Sequence, residues 1–200
     1  NTQLVKAGDE PRSLRELTQP KWAGKMVIMD PTFSSTTYNF YYTLLRRKFA
    51  DLETVRAVGR NNVKFAINLT SAAMEVGKGN YALHAGAPDN GYMSLVKEGA
   101  PVKAIALEEG TVVGGNAIAA INKALHPNAA KLFINWLLTP DGQIPFDKTR
   151  SVLSPRKDVP DFRPEALRMT PIRLIATTHE DDVENNRAFM EKFLVKLWKE

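Results

Sequence analysis

The sequence of 200 residues contains no cysteine, which excludes both a disulfide framework and a thiolate metal site. No apolar run approaches the roughly 20 residues that a membrane-spanning helix requires. Only three histidines are present, and the motifs of a nucleophile elbow, a phosphate loop, a dinucleotide-binding turn and a zinc protease are all missing. We therefore predict no catalytic residue, no metal site and no cofactor.

The charge of the chain is mildly positive, with 27 basic and 22 acidic residues and a formal net charge of +5. The basic residues are scattered or form short groups such as Arg46-Arg47-Lys48, at the expected end of a helix, where cations complement the helix dipole. No basic stripe with interleaved aromatic residues is present, so nucleic acid is not expected as a partner. The positive excess favours an anionic small molecule instead.

Strands and helices alternate over the first half of the chain. Lys25–Met29 is a compact apolar run after a glycine, which predicts a buried strand. We further predict short helices at 13–17, 71–76 and 91–98, and strands at 81–85, 102–107 and 116–121. This alternation is typical of an α/β layer fold with a mainly parallel sheet. Apolar residues at helical spacing predict an amphipathic helix after the first strand: Tyr38, Tyr41, Tyr42, Leu45 and Phe49.

The pattern changes from about residue 108. Pro127 opens the clearest amphipathic helix of the chain, and Thr139 followed by Pro140 predicts the start of another. Residues 145–177 are punctuated by prolines and are predicted to form an irregular wrap. A last helix is predicted at 182–199. Its apolar residues are expected to be buried: Phe189, Met190, Phe193, Leu194, Leu197 and Trp198.

Four hydroxyl side chains, Ser34, Ser35, Thr36 and Thr37, lie between the first strand and the helix that follows it. A helix N-terminus carries unpaired N–H groups and about half a positive charge. Proteins often place Glu or Gln at the third helical position, but here Tyr38, Asn39 and Phe40 follow the hydroxyls. An anion can take the vacant place, held by backbone N–H groups and hydroxyls. An ordinary Ser/Thr cap with solvated neighbours is the alternative; the position after a strand favours a ligand.

Several blocks of the sequence are similar to one protein family. Leu17-Thr-Gln-Pro-Lys-Trp-Ala-Gly-Lys25 precedes the first strand, and Ser34-Ser-Thr-Thr-Tyr38 follows it. Later blocks are Gly99-Ala-Pro-Val102, Glu108-Glu-Gly-Thr-Val112 and the helix pair that begins at His126 and ends at Gln143. Together they resemble the bacterial extracellular solute-binding proteins of ABC importers. The branch they resemble includes ferric-iron-, phosphonate-, polyamine- and sugar-phosphate-binding members.

The resemblance implies a two-lobed, hinge-closing α/β protein of the type II periplasmic-binding fold. Members of the family are longer, and the blocks found here correspond to the later part of their chains. The chain is therefore expected to hold one complete ligand-binding α/β lobe at 10–107. Residues 108–200 are expected to supply a hinge strand and helices returning to a second, incomplete lobe.

The resemblance also implies which residues contact the solute. Ser34, Ser35 and Thr36 match a Ser-Gly-Thr type turn that grips an anionic group in the family, and Thr37 completes the cluster. Iron-binding members place two adjacent tyrosines after the strand that corresponds to 81–85, where this sequence has Asp89-Asn90. The resemblance thus implies a solute other than ferric iron, with Asp89 facing a cationic group such as an amine.

The expected function is that of the solute-binding component of an ABC import system. It would capture a small solute carrying a phosphonate, phosphate ester or carboxylate in an interlobe cleft and deliver it to a membrane permease, without catalysis. The chain begins with Asn1 and shows no basic-then-apolar leader, which predicts a processed product. The resemblance implies a periplasmic or cell-surface location. An α/β enzyme, the effector domain of a transcription regulator and a fragment that binds nothing remain as alternatives.

Overall fold

The computed structural model describes residues 1–150, 152–169, 173–177 and 194–199. The chain divides into two compact units. The first consists of Asn1–Gly114 together with Ala166–Glu200, and the second of Gly115–Glu165.

The first unit is built on a three-stranded parallel sheet. Its strands are β1 (Met26–Met29), β2 (Lys64–Ala66) and β3 (Leu83–His84), in the order β2-β1-β3. Val27 is in register with Lys64 on one side and with His84 on the other. All four residues of β1 are buried, because the strand is central and covered on both faces. An apolar run without alternation is typical of this position, so the predicted buried strand is confirmed.

Helices connect these strands, as expected for parallel pairing. They are α1 (Ser35–Arg46), α2 (Leu52–Arg60) and α3 (Leu69–Gly77), followed by α4 (Met93–Lys97) after β3. Single-turn 3₁₀ helices lie at Glu16–Thr18, Pro20–Trp22, Asp89–Tyr92 and Glu165–Leu167. The α/β class and the helices predicted after β1, at 71–76 and at 91–98 are confirmed, whereas α2 and β2 are elements that sequence reasoning missed.

The core of the first unit lies around β1 and α1. Tyr41 and Leu44 of α1 are fully buried, as are Val55 and Val58 of α2. The described end of the chain, α7 (Val195–Lys199), packs on this core. Leu194, Leu197 and Trp198 are buried there as predicted. The other residues assigned to that helix, 182–193, lie outside the described residues.

Two predicted strands are wrong. Residues 102–107 and 116–121 are irregular, and the chain pairs instead at β4 (Thr111–Val113) with β5 (Leu174–Ala176), in parallel. An apolar run becomes a strand only where a neighbour accepts its backbone hydrogen bonds. Among the described residues, the segment at 102–107 donates one backbone hydrogen bond to a distant part of the chain, from Ala104 N–H to Ala166 O at 2.7 Å. Residues 116–121 are all exposed, with Ile121 at 82%.

In its described residues the second unit contains two α-helices, α5 (Pro127–Leu137) and α6 (Pro140–Arg150). Both begin with proline at the first helical position, where its missing N–H costs nothing, as predicted from Pro127 and Pro140. Helix α6 continues through Pro145 to Arg150, so the irregular segment starts later than predicted. None of the residues of α5 is buried.

Candidate functional site

The three parallel strands of the first unit end at one edge of their sheet. The segments that follow them are residues 30–34 after β1, 67–68 after β2 and 85–88 after β3. Ligands of open α/β sheets bind beyond the carboxyl ends of the strands. This edge is therefore the candidate binding site. Both groups of predicted residues, Ser34–Thr37 and Asp89–Asn90, follow strands that end at this edge.

Ser34 is the N-cap of α1. Its Oγ accepts hydrogen bonds from the Thr37 N–H and from the Thr37 hydroxyl, both at 3.2 Å. Ser34 and Thr37 are buried, whereas Thr36 is exposed. Because Ser34 acts as the acceptor in both bonds, its own hydroxyl hydrogen is left to donate. The cap and a ligand contact at Ser34 are thus chemically compatible.

The first turn of α1 contains no acidic residue. The first N–H groups of a helix have no partner within the helix, and here the Ser34 side chain satisfies only that of Thr37. The N–H groups of Ser35 and Thr36 precede the first intrahelical hydrogen bond. Together with the hydroxyls of Ser34 and Thr36, they form a set of donors suited to an anion.

Asp30 shapes the loop between β1 and α1, a role that sequence reasoning missed. Its N–H donates to Ala66 O at 2.8 Å, and its carboxylate accepts hydrogen bonds from the Thr32 N–H at 3.0 Å and from the Thr32 hydroxyl. An Asp that accepts from the residue two positions ahead forms an Asx turn. The Asp-Pro-Thr sequence was the available signal for this turn.

A second helix, α3, also begins at this edge. Asn68 is its N-cap, and the Asn68 side-chain oxygen accepts from the Ser71 N–H at 2.8 Å. The first turn of α3 is likewise free of acidic residues. A surface pocket of about 320 Å³ adjoins this helix start and is lined by Ala66, Ile67 and Ser71 among others. The sequence contained a signal for this helix start, because Asn68 is a capping residue that precedes an apolar residue and no acidic residue follows in the next turn.

Asp89 and Asn90 belong to the 3₁₀ turn after β3, in which Asp89 is half-buried and Asn90 is exposed. This turn lies close to the start of α3, because a side chain at Gly91 would place its Cβ 2.5 Å from Leu69 Cγ. The loop that leads to the turn lies beside α1. At Gly86, where φ is +73°, a Cβ would be 3.3 Å from the Phe40 ring. The segment that follows β3 thus contacts both helices.

His84 connects the 3₁₀ turn to β3. Its Nδ1 lies 2.7 Å from the Tyr92 hydroxyl oxygen, as expected for a hydrogen-bonded histidine. Among the described residues, its enclosed Nε2 has no hydrogen-bond partner. Burial lowers the pKa of His84 to about 4 and raises the pKa of Tyr92. The imidazole is therefore neutral at pH 7, which allows the Tyr92 hydroxyl to donate to Nδ1.

No group of three or more His, Cys, Asp or Glu side chains is close enough to bind a metal ion within 1–150, 152–169, 173–177 and 194–199. In those same ranges, every helix is too short or too polar to cross a membrane.

The chain is similar to solved structures of transport proteins. One of them is the substrate-binding protein of an ABC transporter from Agrobacterium tumefaciens, with a TM-score of 0.64 and 13% sequence identity. The superposition covers 98% of this chain and 62% of that protein. Another is the periplasmic binding protein AfuA from Actinobacillus pleuropneumoniae, solved with exogenous fructose-6-phosphate bound. Its TM-score is 0.60 at 18% sequence identity, and the superposition covers 98% of this chain and 61% of that protein. At these identities the likeness concerns the fold, and it confirms the predicted periplasmic-binding-protein-like α/β architecture. The chain spans slightly over three fifths of the length of either structure.

A search among curated proteins finds no match to the sequence. The family model described as "Bacterial extracellular solute-binding protein" matches residues 3–149. This match includes β1, the Ser34–Thr37 cluster, the turn at Asp89–Asn90 and both helices of the second unit. The chain therefore belongs to the family of bacterial extracellular solute-binding proteins.

Proposed function

We propose that this chain is the solute-binding component of an ABC import system and that its solute is a small molecule with an anionic group. The observation that carries the proposal is the start of α1, where hydroxyls and the first N–H groups of the helix lie at the carboxyl edge of the sheet without an acid in the first turn. Membership of a solute-binding family supports binding without catalysis.

The proposed site consists of Ser34, Ser35, Thr36 and Thr37 for the anionic group, and of Asp89 and Asn90 for the rest of the solute. Thr37 acts indirectly, because its hydroxyl already donates to Ser34. Ser34 and Thr36 have hydroxyl hydrogens for the solute, and the N–H groups of Ser35 and Thr36 add two donors. Asp89 is proposed to accept from a cationic or hydroxyl group, and the exposed Asn90 amide can donate or accept.

A phosphate ester, a phosphonate or a carboxylate fits this set of donors. The phosphate group offers three acceptor oxygens to converging N–H and O–H groups. One structural neighbour was solved with fructose-6-phosphate, which makes sugar phosphates the first compounds to test. This choice is in line with the proposed branch of the family, which includes phosphonate-, polyamine- and sugar-phosphate-binding members besides ferric-iron-binding ones.

We further propose a periplasmic or cell-surface location and a membrane permease as the partner, in keeping with the extracellular family. The division into a ligand-binding lobe at 10–107 and a hinge with returning helices at 108–200 is part of the same proposal.

Calorimetric titration of the protein as it is encoded tests the function. The probes are fructose 6-phosphate, inorganic phosphate, aminomethylphosphonate and acetate, with neutral fructose as the comparison. We expect an anionic probe to bind and fructose not to bind. The double variant Ser34→Ala/Thr36→Val should weaken the affinity by about tenfold or more, since two hydrogen bonds to an anion are removed.

Thr139→Ala is the matched control for this experiment. Thr139 is also a hydroxyl cap, with Oγ1 accepting from the Gly142 N–H at 3.3 Å, but it begins α6. Its loss should leave the affinity unchanged. Equal affinity in the wild type and in Ser34→Ala/Thr36→Val would reject the anion site, and tighter binding of fructose than of every anionic probe would reject the solute class.

A further inference from the structure

A second pocket lies at the opposite end of α1 from Ser34. It has a volume of about 510 Å³ and is lined by residues 48–50 between α1 and α2, by the start of α2, and by two more distant residues, Arg15 and Glu109. Helix α1 has 12 residues, which corresponds to about 18 Å at 1.5 Å per residue. The pocket is thus separate from the proposed solute site.

Three cationic side chains border this pocket. Arg15 and Lys48 line it and are exposed, and neither side chain has a hydrogen-bond or ion-pair partner in the part of the chain that the structure describes. The third cation is Arg173, whose guanidinium carbon lies 4.3 Å over the ring of Phe49, another lining residue. Lys48 has a positive φ of 58°, so its backbone leaves α1 in a left-handed turn.

The two carboxylates of the pocket are already engaged by the protein. Asp51 is the N-cap of α2 and accepts from the Thr54 N–H and hydroxyl, both at 2.8 Å. These hydrogen bonds lower the pKa of Asp51. Glu109 accepts from the Leu14 N–H at 2.9 Å through Oε1, while its Oε2 is enclosed and has no hydrogen-bond partner among the described residues. The charged groups lining the pocket that are both exposed and without a partner in the described part of the chain are therefore the cationic ones, Arg15 and Lys48.

We propose that this pocket is an accessory anion site for a small molecule that carries a phosphate group. The planar guanidinium of Arg15 can donate hydrogen bonds to two phosphate oxygens at once, and the ammonium group of Lys48 adds a second positive charge. Phe49, covered on one face by Arg173, forms an apolar wall. This proposal is independent of the proposed transport function, because it involves none of the residues at the carboxyl edge of the sheet.

Occupation of the site would connect three segments that are distant in sequence, around Arg15, Lys48 and Arg173. A ligand that binds only the folded state stabilises it by mass action. Phosphate is therefore expected to raise the melting temperature of the protein as well as to bind at this position.

Nuclear magnetic resonance titration of the ¹⁵N-labelled protein with inorganic phosphate, at constant ionic strength set with sodium chloride, tests the site residue by residue. We expect saturable shifts of the amide signals from Lys48 to Asp51. In the double variant Arg15→Gln/Lys48→Gln, the affinity obtained from these shifts should fall by about tenfold. Both side chains are exposed, so the variant is expected to fold normally.

The charge-matched control is Lys78→Gln/Lys97→Gln, which removes two positive charges from exposed residues elsewhere. It should keep the wild-type affinity. An equal loss in this control would show that phosphate responds to net charge alone and would overturn the proposal. Shifts that do not saturate, or that are confined to Ser34–Thr37, would also overturn it. In the latter case the phosphate would bind at the proposed solute site, so the two proposals are tested separately.

Discussion

The two units of this protein bury different kinds of residue. In the first unit the buried side chains are mainly apolar and form two clusters around β1. In the second unit the polar side chains Gln143, Asp147 and Arg163 are buried together with Val159, while Leu132, Phe133 and Trp136 on α5 are 71%, 53% and 43% exposed. An amphipathic pattern thus correctly predicted helix α5 but did not determine whether its apolar face is covered. Burial depends on what packs against a helix, and periodicity contains no information about the partner.

A matched pair of tryptophan substitutions should show the largest difference between the units. Trp198 packs edge-on against Tyr41, with ring centroids 4.9 Å apart, and its Nε1–H donates to Val55 O at 2.9 Å. We expect Trp198→Ala to lower the free energy of unfolding by about 3–5 kcal/mol, since it leaves a cavity and removes the hydrogen bond to Val55 O. Trp136→Ala should change it by less than about 1 kcal/mol.

Urea denaturation followed by circular dichroism measures both variants. A loss in Trp136→Ala as large as that in Trp198→Ala would contradict the comparison. It would indicate that the apolar face of α5 is covered in solution.

Acidification is expected to destabilise the first unit through His84. Its pKa is about 4 in the folded protein, against an ordinary value of 6.5. Between these values the unfolded chain binds more protons than the folded one, so the free energy of unfolding falls as the pH is lowered from 6.5 to 4. The loss attributable to this group is at most about 3 kcal/mol. Urea denaturation curves between pH 6.5 and 4 measure this loss, and His84→Gln should abolish the part due to His84. If the free energy of unfolding of the variant falls as steeply with pH as that of the wild type, His84 is not the group responsible.

Asp147 should make the stability of the second unit depend on pH as well, to a smaller extent and with a sign opposite to that of His84. Burial raises the pKa of this carboxyl above the ordinary 3.8, and Oδ2 has no hydrogen-bond partner among the described residues. Above pH 3.8 the folded state retains the Asp147 proton longer than the unfolded one, so local stability falls as the pH rises through the raised pKa. Protection factors of the α6 amides, the ratio of the intrinsic to the observed hydrogen-exchange rate at each pH, measure the effect, expected to be below about 1 kcal/mol. Asp147→Asn should remove it, and protection factors that rise with pH would contradict the sign.

The fold could be predicted where the signals were local. The uninterrupted apolar run of β1 and the caps of α1 and α6 depend on residues within about four positions of each other. The strands predicted at 102–107 and 116–121 were wrong because neither segment pairs with another strand in the part of the chain that the structure describes. Helix α2 was missed although Asp51 is a capping residue and Val55 and Val58 are spaced for one face.

The candidate site could be predicted in part. The absence of acidic residues after Ser34–Thr37 predicted an anion site at the start of α1. In the structure this helix begins at the carboxyl edge of the sheet. The contact of Gly91 with Leu69 and the approach of Gly86 to Phe40 depend on residues far apart in the chain. No local pattern indicated that these segments meet.

The sequence alone determined the α/β class, the central strand β1, the hydroxyl-rich start of α1 and the resemblance to extracellular solute-binding proteins. Each of these is encoded by neighbouring residues through periodicity, capping or motif. Only the tertiary structure decided that Thr111–Val113 pairs with Leu174–Ala176, that two helix starts share one edge, and which apolar faces are buried. The physical reason is that strand pairing and burial require groups from distant segments to exchange hydrogen bonds and exclude water.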